Sequence, residues 1–149
     1  MPDFKPRQFA SADEIIEIGL GLLDKTLPKA KWTHEAHFAA LIFLFVHKPK
    51  MNLKKEMPKL IFDYNIASGG ANTDTTGYHE TLTQFYITIV GQYLLKVPDW
   101  DILTAVNHFV TTEKARREYP LYFYSKEILF SVKARREWVA PDKQAISID

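Results

Sequence analysis

Two histidines, His34 and His37, lie three residues apart in the first third of the chain. On an α-helix this spacing places both imidazole rings on one face, with their Cβ atoms about 5–6 Å apart. Two side chains in that position can share one metal ion, as ligand pairs do in metal-binding helical bundles. The spacing is one residue shorter than in the His-Glu-x-x-His motif of metalloproteases, so the pair does not indicate a protease.

His79 and Glu80 could complete a catalytic metal site. Both follow a long polar loop and stand at the start of a later predicted helix. A third histidine would give the three protein ligands of a catalytic zinc site, which keeps one position open for water or substrate. Glu80 would then orient or deprotonate that water. The sequence therefore predicts a metal-assisted reaction, first of all a hydrolysis, on a small soluble molecule, with Glu80 as the catalytic residue.

The metal of such a site would be zinc, manganese, iron or nickel. The chain contains no cysteine, so only nitrogen and oxygen ligands remain, and disulfides are excluded. Neither a Gly-x-Ser-x-Gly sequence nor a glycine-rich dinucleotide motif occurs. Serine hydrolase chemistry and dinucleotide binding are therefore not indicated, and no cofactor other than a metal is predicted.

The same residues also fit a binding protein without catalysis, in which the three histidines would line a metal-free pocket. Polar side chains near these segments would then contact the small molecule, because hydroxyl and amide groups often fix a ligand in a mostly apolar pocket. The predicted ligand contacts are Asn72, Thr73, Tyr78, Tyr64 and Tyr124. Purely structural roles are a third interpretation, since such residues can simply stabilise the start of a helix.

A basic sequence occurs twice, as Lys-Ala-Arg-Arg-Glu at 114–118 and again at 133–137. The repeat is too short and too isolated for a solenoid. Two helix C-termini are its simplest explanation, because cations are favourable at that end of a helix. The alternative is an interaction module that uses the two copies to contact a partner or a phosphate group. The net charge of +1, from 19 basic and 18 acidic residues, argues against a general nucleic-acid-binding protein.

The composition is typical of one globular domain, with 149 residues of which 46% are hydrophobic. The first residues lack the apolar region of a secretion signal. No apolar run approaches the roughly 18 residues of a membrane span. We therefore expect a cytoplasmic protein without a membrane partner. The aromatic content of 13% would suit a homodimer interface as well as a core.

Capping signals and prolines predict an all-α, single-domain bundle of five or six helices. Ser-Ala-Asp-Glu at 11–14 is a capping box, Pro49 ends the second helix and the glycines at 69–70 end the third. The predicted helices span about 12–25, 33–47, 52–67, 78–96, 98–117 and 125–136.

The metal site requires the second and fourth helices to run parallel in the centre of the bundle. His34 and His37 fall in the first turn of one helix, and His79 falls in the first turn of the other. Parallel helices would bring the three imidazoles to the same end of the bundle. We expect the 68–77 loop, ten small or polar residues, to fold over the gap between them, since long loops are more often functional than short ones.

Three stretches of the sequence resemble motifs of a known protein family. They are Trp-Thr-His-Glu-Ala-His at 32–37, Ala-Asn-Thr at 71–73 with Gly-Tyr-His-Glu-Thr at 77–81, and Tyr-Ser-Lys-Glu at 124–127 with Trp-Val-Ala-Pro-Asp at 138–142. With these motifs in this order, most of the chain resembles a family of small helical bacterial proteins of about this length. That family has no established activity, so the resemblance implies none.

Overall fold

The computed structural model describes residues 6–147, and this part of the chain is entirely helical, which confirms the predicted fold class. Three 3₁₀-helices, at Lys29–Lys31, Glu113–Ala115 and Tyr119–Tyr122, join seven α-helices, five of which have seven or more residues. None of the described helices has the length and apolar character needed to cross a membrane. The α-helices are α1 (Ala12–Asp24), α2 (His34–His47), α3 (Leu53–Ala67), α4 (Glu80–Lys96), α5 (Ile102–Phe109), α6 (Lys126–Leu129) and α7 (Val132–Arg136).

The first four helices begin and end within two residues of the predicted positions. Each is preceded by a side chain that accepts a hydrogen bond from the backbone N–H three residues later. These caps are Ser11, Thr33, Asn52 and His79. A cap satisfies an N–H group that the helix itself leaves unpaired. Because a cap and its partner are close in sequence, these boundaries could be predicted from local patterns.

The fifth helix is shorter than predicted, because it begins at Ile102 instead of about 98 and ends at Phe109 instead of about 117. Two hydroxyl groups turn back onto its last carbonyls. Thr111 Oγ1 donates to the carbonyl of His108 (2.6 Å), and Thr112 Oγ1 donates to that of Phe109 (2.7 Å). Local side-chain bonds of this kind offer the backbone an alternative to continuing the helix.

The predicted helix over 125–136 is divided into α6 and α7. Ser131 lies at the division and bonds to both sides of it. Its hydroxyl donates to the carbonyl of Ile128 (2.6 Å) and accepts the N–H of Ala134 (3.1 Å). The serine therefore caps the second short helix and prevents one continuous helix.

The central helix is α2, in which every residue from 38 to 44 is buried, and it packs against α1, α4 and α5. Phe38 contacts Tyr86 of α4, with ring centroids 5.0 Å apart. Seven residues later in α2, Phe45 lies against Gly91, which is also further along α4. Because both contacts advance in the same direction, α2 and α4 run parallel, as predicted.

A furrow separates α3 from the start of α4. Gln84 Nε2 donates to the carbonyl of Lys54, near the beginning of α3 (2.8 Å). Two turns later in α3, Phe62 lies near Tyr78, just before α4. The two helices are therefore antiparallel, and the loop between them closes one end of this furrow, which is part of the cleft described below.

Candidate functional site

The loop between α3 and α4, residues 68–79, is organised by Asn72. Its Oδ1 accepts the backbone N–H of Tyr78 (2.9 Å) and a side-chain N–H of Asn65 (3.0 Å). Its Nδ2 donates to the carbonyl of Phe62 (3.0 Å). Three hydrogen bonds thus connect one amide side chain to α3 and to the residues just before α4, which fixes the shape of the loop.

Two arginines of α7 hold the other side of this loop. Arg135 Nη1 donates to the carbonyls of Gly77 (3.1 Å) and Tyr78 (3.3 Å). Arg136 donates to the Asp74 carboxylate, through Nε at 2.8 Å and through Nη2. The second copy of the basic repeat therefore stabilises the loop of its own chain. Residues 72–77 of the loop make their hydrogen bonds to other helices with α3 and α7, and the described residues show the loop no hydrogen bond to α2.

A cleft of about 660 Å³ opens between α3, the loop, the start of α4 and α7. Four of the residues that line it are predicted site residues: Asn72, Thr73, Tyr78 and Glu80. The other lining residues are Pro58, Lys59, Phe62, Arg135 and Arg136. The structure therefore brings the predicted polar residues of the loop together with cations and apolar side chains from two other helices.

Tyr78 and Glu80 form a hydrogen-bonded pair in the cleft, with the phenol donating to the carboxylate. Burial raises the pKa of Tyr78, and the bond to Glu80 raises it further. The phenol is consequently protonated at neutral pH. Among the described residues, no other group donates a hydrogen bond to Glu80, so its second carboxylate oxygen can accept one from a ligand.

His79 lies beside this cleft but serves α4 itself. Its Nδ1 accepts the N–H of Leu82 (3.1 Å), so the proton must be on Nε2, which donates to the carbonyl of Leu129 (2.9 Å). The side chain is only 8% exposed, and burial lowers its pKa. Both ring nitrogens are thus used, and neither can bind a metal unless a hydrogen bond is broken.

His34 and His37 also bond to backbone carbonyls. His34 Nε2 donates to Ala115 (2.6 Å), and His37 Nδ1 donates to Thr33 (2.6 Å) while its ring lies 3.9 Å from that of Trp32. Within residues 6–147, no group of three or more histidine, aspartate or glutamate side chains could hold a metal ion. The predicted set of three histidines therefore does not fit a shared metal in this arrangement.

Tyr64 and Tyr124 were predicted to contact a ligand, but both are fully buried in the core. The Tyr64 hydroxyl donates to the carbonyl of Leu27 (2.8 Å), and the Tyr124 hydroxyl donates to that of Val139 (2.6 Å). Neither ring lines the cleft. These tyrosines connect distant segments of the chain, because a buried hydroxyl needs a partner.

Lys59, Phe62 and the cleft position of the two α7 arginines were not predicted from the sequence. The basic repeat did single out Arg135 and Arg136, but nothing in their spacing shows that they lie against a loop about 60 residues earlier. Lys59 and Phe62 stand on the outward side of α3, where local patterns indicate only solvent.

Comparisons with protein-family models, with curated proteins and with solved structures give no match to this chain.

Proposed function

We propose that the chain is a metal-free binding protein for a small soluble molecule, which the cleft between α3, the loop, α4 and α7 holds. One observation carries this proposal. Polar groups from four segments converge on a cavity of about 660 Å³, which is within the size range of sites for small molecules.

The cleft offers the ligand two kinds of surface. Pro58 and Phe62 supply apolar area on α3, and Phe62 is 43% exposed there. Tyr78, Glu80 and the arginines supply hydrogen bonds on the opposite side. A few fixed polar groups beside an apolar wall are the usual means of orienting a small ligand.

Metal-assisted hydrolysis has less support than binding. His79 would have to release the Leu82 N–H or the Leu129 carbonyl before it could bind a metal. Releasing either group would cost the cap of α4 or leave a buried carbonyl unpaired. The interaction module also has less support, because Arg135 and Arg136 contact the loop of their own chain.

The test is retention of metabolites. The untagged protein is dialysed against an aqueous metabolite extract, washed and denatured, and the released molecules are identified by mass spectrometry. We expect one or a few small molecules in molar proportion to the protein. Elemental analysis of the same sample measures zinc, manganese, iron and nickel.

Two matched variants locate the bound molecule. Phe62→Ala removes the apolar wall, whereas Ile66→Ala truncates an exposed residue of the same helix outside the cleft. The carbonyl of residue 62, which accepts from Asn72, is present in both variants. We expect F62A to lose the metabolite and I66A to retain it. Retention of nothing, equal retention by both variants, or one equivalent of tightly bound metal would contradict the proposal.

A further inference from the structure

Arg135 and Arg136 are neighbours in the cleft, but their guanidinium groups are used differently. Arg136 turns its Nε and Nη2 edge to the carboxylate of Asp74. Arg135 uses Nη1 alone, and both of its acceptors are backbone carbonyls. Among the described residues, nothing accepts from the Nε and Nη2 edge of Arg135.

That free edge has the geometry of an anion receptor. The Nε and Nη2 groups point in parallel and match the two oxygens of a carboxylate or phosphate. Carbonyls carry no net charge, so the positive charge of Arg135 has no carboxylate partner within residues 6–147. The side chain is half-buried, where such a charge is less screened by salt than a fully exposed one.

The other two cations that line the cleft have carboxylate partners. Lys59 Nζ lies 2.5 Å from Asp63, and Arg136 binds Asp74. Among the described residues that line the cleft, Arg135 is therefore the cation without an ion pair to a carboxylate. Glu80 favours a different part of a ligand than Arg135 does. Its second carboxylate oxygen can accept a hydrogen bond from a donor, whereas it repels a further negative charge.

We infer that Arg135 binds an anionic group of the ligand, a carboxylate or a phosphate, while Glu80 accepts a hydrogen bond from a hydroxyl or amino group of the same molecule. This inference rests on the proposed function and names its ligand class. The expected ligands are hydroxy acids, amino acids and phosphate esters of polyols, with a carbon skeleton that lies on Phe62.

The test follows the side chain of Arg135 directly. The ¹⁵N-labelled protein is titrated with inorganic phosphate, and separately with acetate, at low ionic strength, with chloride as the reference salt. We expect the Nε–Hε signal of Arg135 to shift in a saturable manner. The corresponding signal of Arg136 should stay in place, because Asp74 already occupies that edge.

Arg135→Lys is the matched variant. It keeps the positive charge and can still donate to a loop carbonyl, but it lacks the two parallel N–H groups. We expect roughly tenfold weaker phosphate binding, the effect of losing a hydrogen bond to a charged group. No saturable shift at Arg135, or equal phosphate affinity in R135K and the unchanged protein, would overturn the inference.

The two proposals can fail separately. A retained metabolite that is neutral and is lost in F62A would overturn the anion receptor and leave the binding function standing. A saturable Arg135 shift in a protein that retains no metabolite would support the receptor and contradict the wider function. Gluconate and glucose 6-phosphate, each compared with glucose, separate a carboxylate ligand from a phosphate ligand.

Discussion

Replacing His79 with alanine removes two hydrogen bonds from the start of α4. The cap bond to the Leu82 N–H contributes about 1 kcal/mol, as N-caps generally do. The buried carbonyl of Leu129 loses its donor, at a cost of about 1–3 kcal/mol. We therefore expect H79A to lower the free energy of unfolding by about 2–4 kcal/mol. For a chain of this length the melting temperature should fall by about 5–12 °C.

His79→Asn separates the two contributions. Asparagine is a good N-cap, so its carbonyl oxygen can still accept the Leu82 N–H, but its side chain is too short to reach Leu129. We expect H79N to lose only the part that belongs to Leu129. Urea unfolding followed by circular dichroism at 222 nm gives the free energies. Lys50→Ala is the control, because Lys50 is exposed in the turn after α2, and it should change stability by less than about 0.5 kcal/mol.

Two results would refute this account of His79. One is a loss below about 1 kcal/mol in H79A, which would mean that neither hydrogen bond matters for stability. The other is a rise of melting temperature with added zinc that occurs in the unchanged protein and is absent in H79N. A ligand stabilises the state that it binds, so that result would identify His79 as a metal ligand.

Three further predictions concern the stability of the fold. Burial lowers the pKa of His79 in the folded protein, so as the pH falls below about 6.5 this imidazole is protonated in the unfolded chain before it is protonated in the folded one. The free energy of unfolding should therefore decline from that pH down through the folded pKa, and it should decline less in H79N. Thr81→Val keeps the shape of a buried side chain but removes the hydroxyl that donates to the Glu137 carbonyl and accepts the Val139 N–H, so it should lose about 2 kcal/mol in urea unfolding. Gly19→Ala would place a methyl group 2.1 Å from a ring of α2, and calorimetry should show a loss of about 1–3 kcal/mol.

Each of these predictions has a control or a contradicting outcome. Identical pH profiles for H79N and the unchanged protein would show that His79 does not titrate with unfolding. A stable T81V variant would mean that Glu137 and Val139 find other partners. Gly91→Ala is the control for Gly19, because its methyl group would lie 3.3 Å from the end of one partly buried ring. Alanine should be neutral or favourable there, since it is the better helix former.

The parts of the fold that could be predicted are those fixed by neighbours in sequence. The caps at Ser11 and Thr33 act over three residues, and α1 to α4 were predicted accurately for that reason. The division at Ser131 also arises from local bonds. It was missed because a serine inside a helical pattern is compatible with either a continuous helix or a cap.

The candidate site was predicted in part for a similar reason. Asn72, Thr73, Tyr78 and Glu80 lie within nine residues of one another, so a single loop brings them together. The roles of His34 and His79 depend on carbonyls far away in the sequence, whereas His37 bonds to the carbonyl of Thr33 four residues earlier. The partner of His34 is 81 residues distant, and that of His79 is 50 residues distant. Spacing alone cannot distinguish a metal ligand from a histidine that bonds to such a carbonyl.

The contacts between the loop and α7 also determine when the cleft can form. One wall of the cleft comes from residues 58–80, and the other comes from residues 135–136. The two arginines of the second wall donate hydrogen bonds to Gly77, Tyr78 and Asp74 of the loop. These contacts span about 60 positions, and distant contacts of this kind form late in folding because of their loop-closure entropy. A ligand that touches both walls adds its binding free energy to the docking of α7. Hydrogen exchange of the backbone amides of α7 should therefore slow when a ligand fills the cleft. The exchange rate of α7 would then show whether the cleft is occupied, although α7 lies about 60 residues after the loop in the sequence.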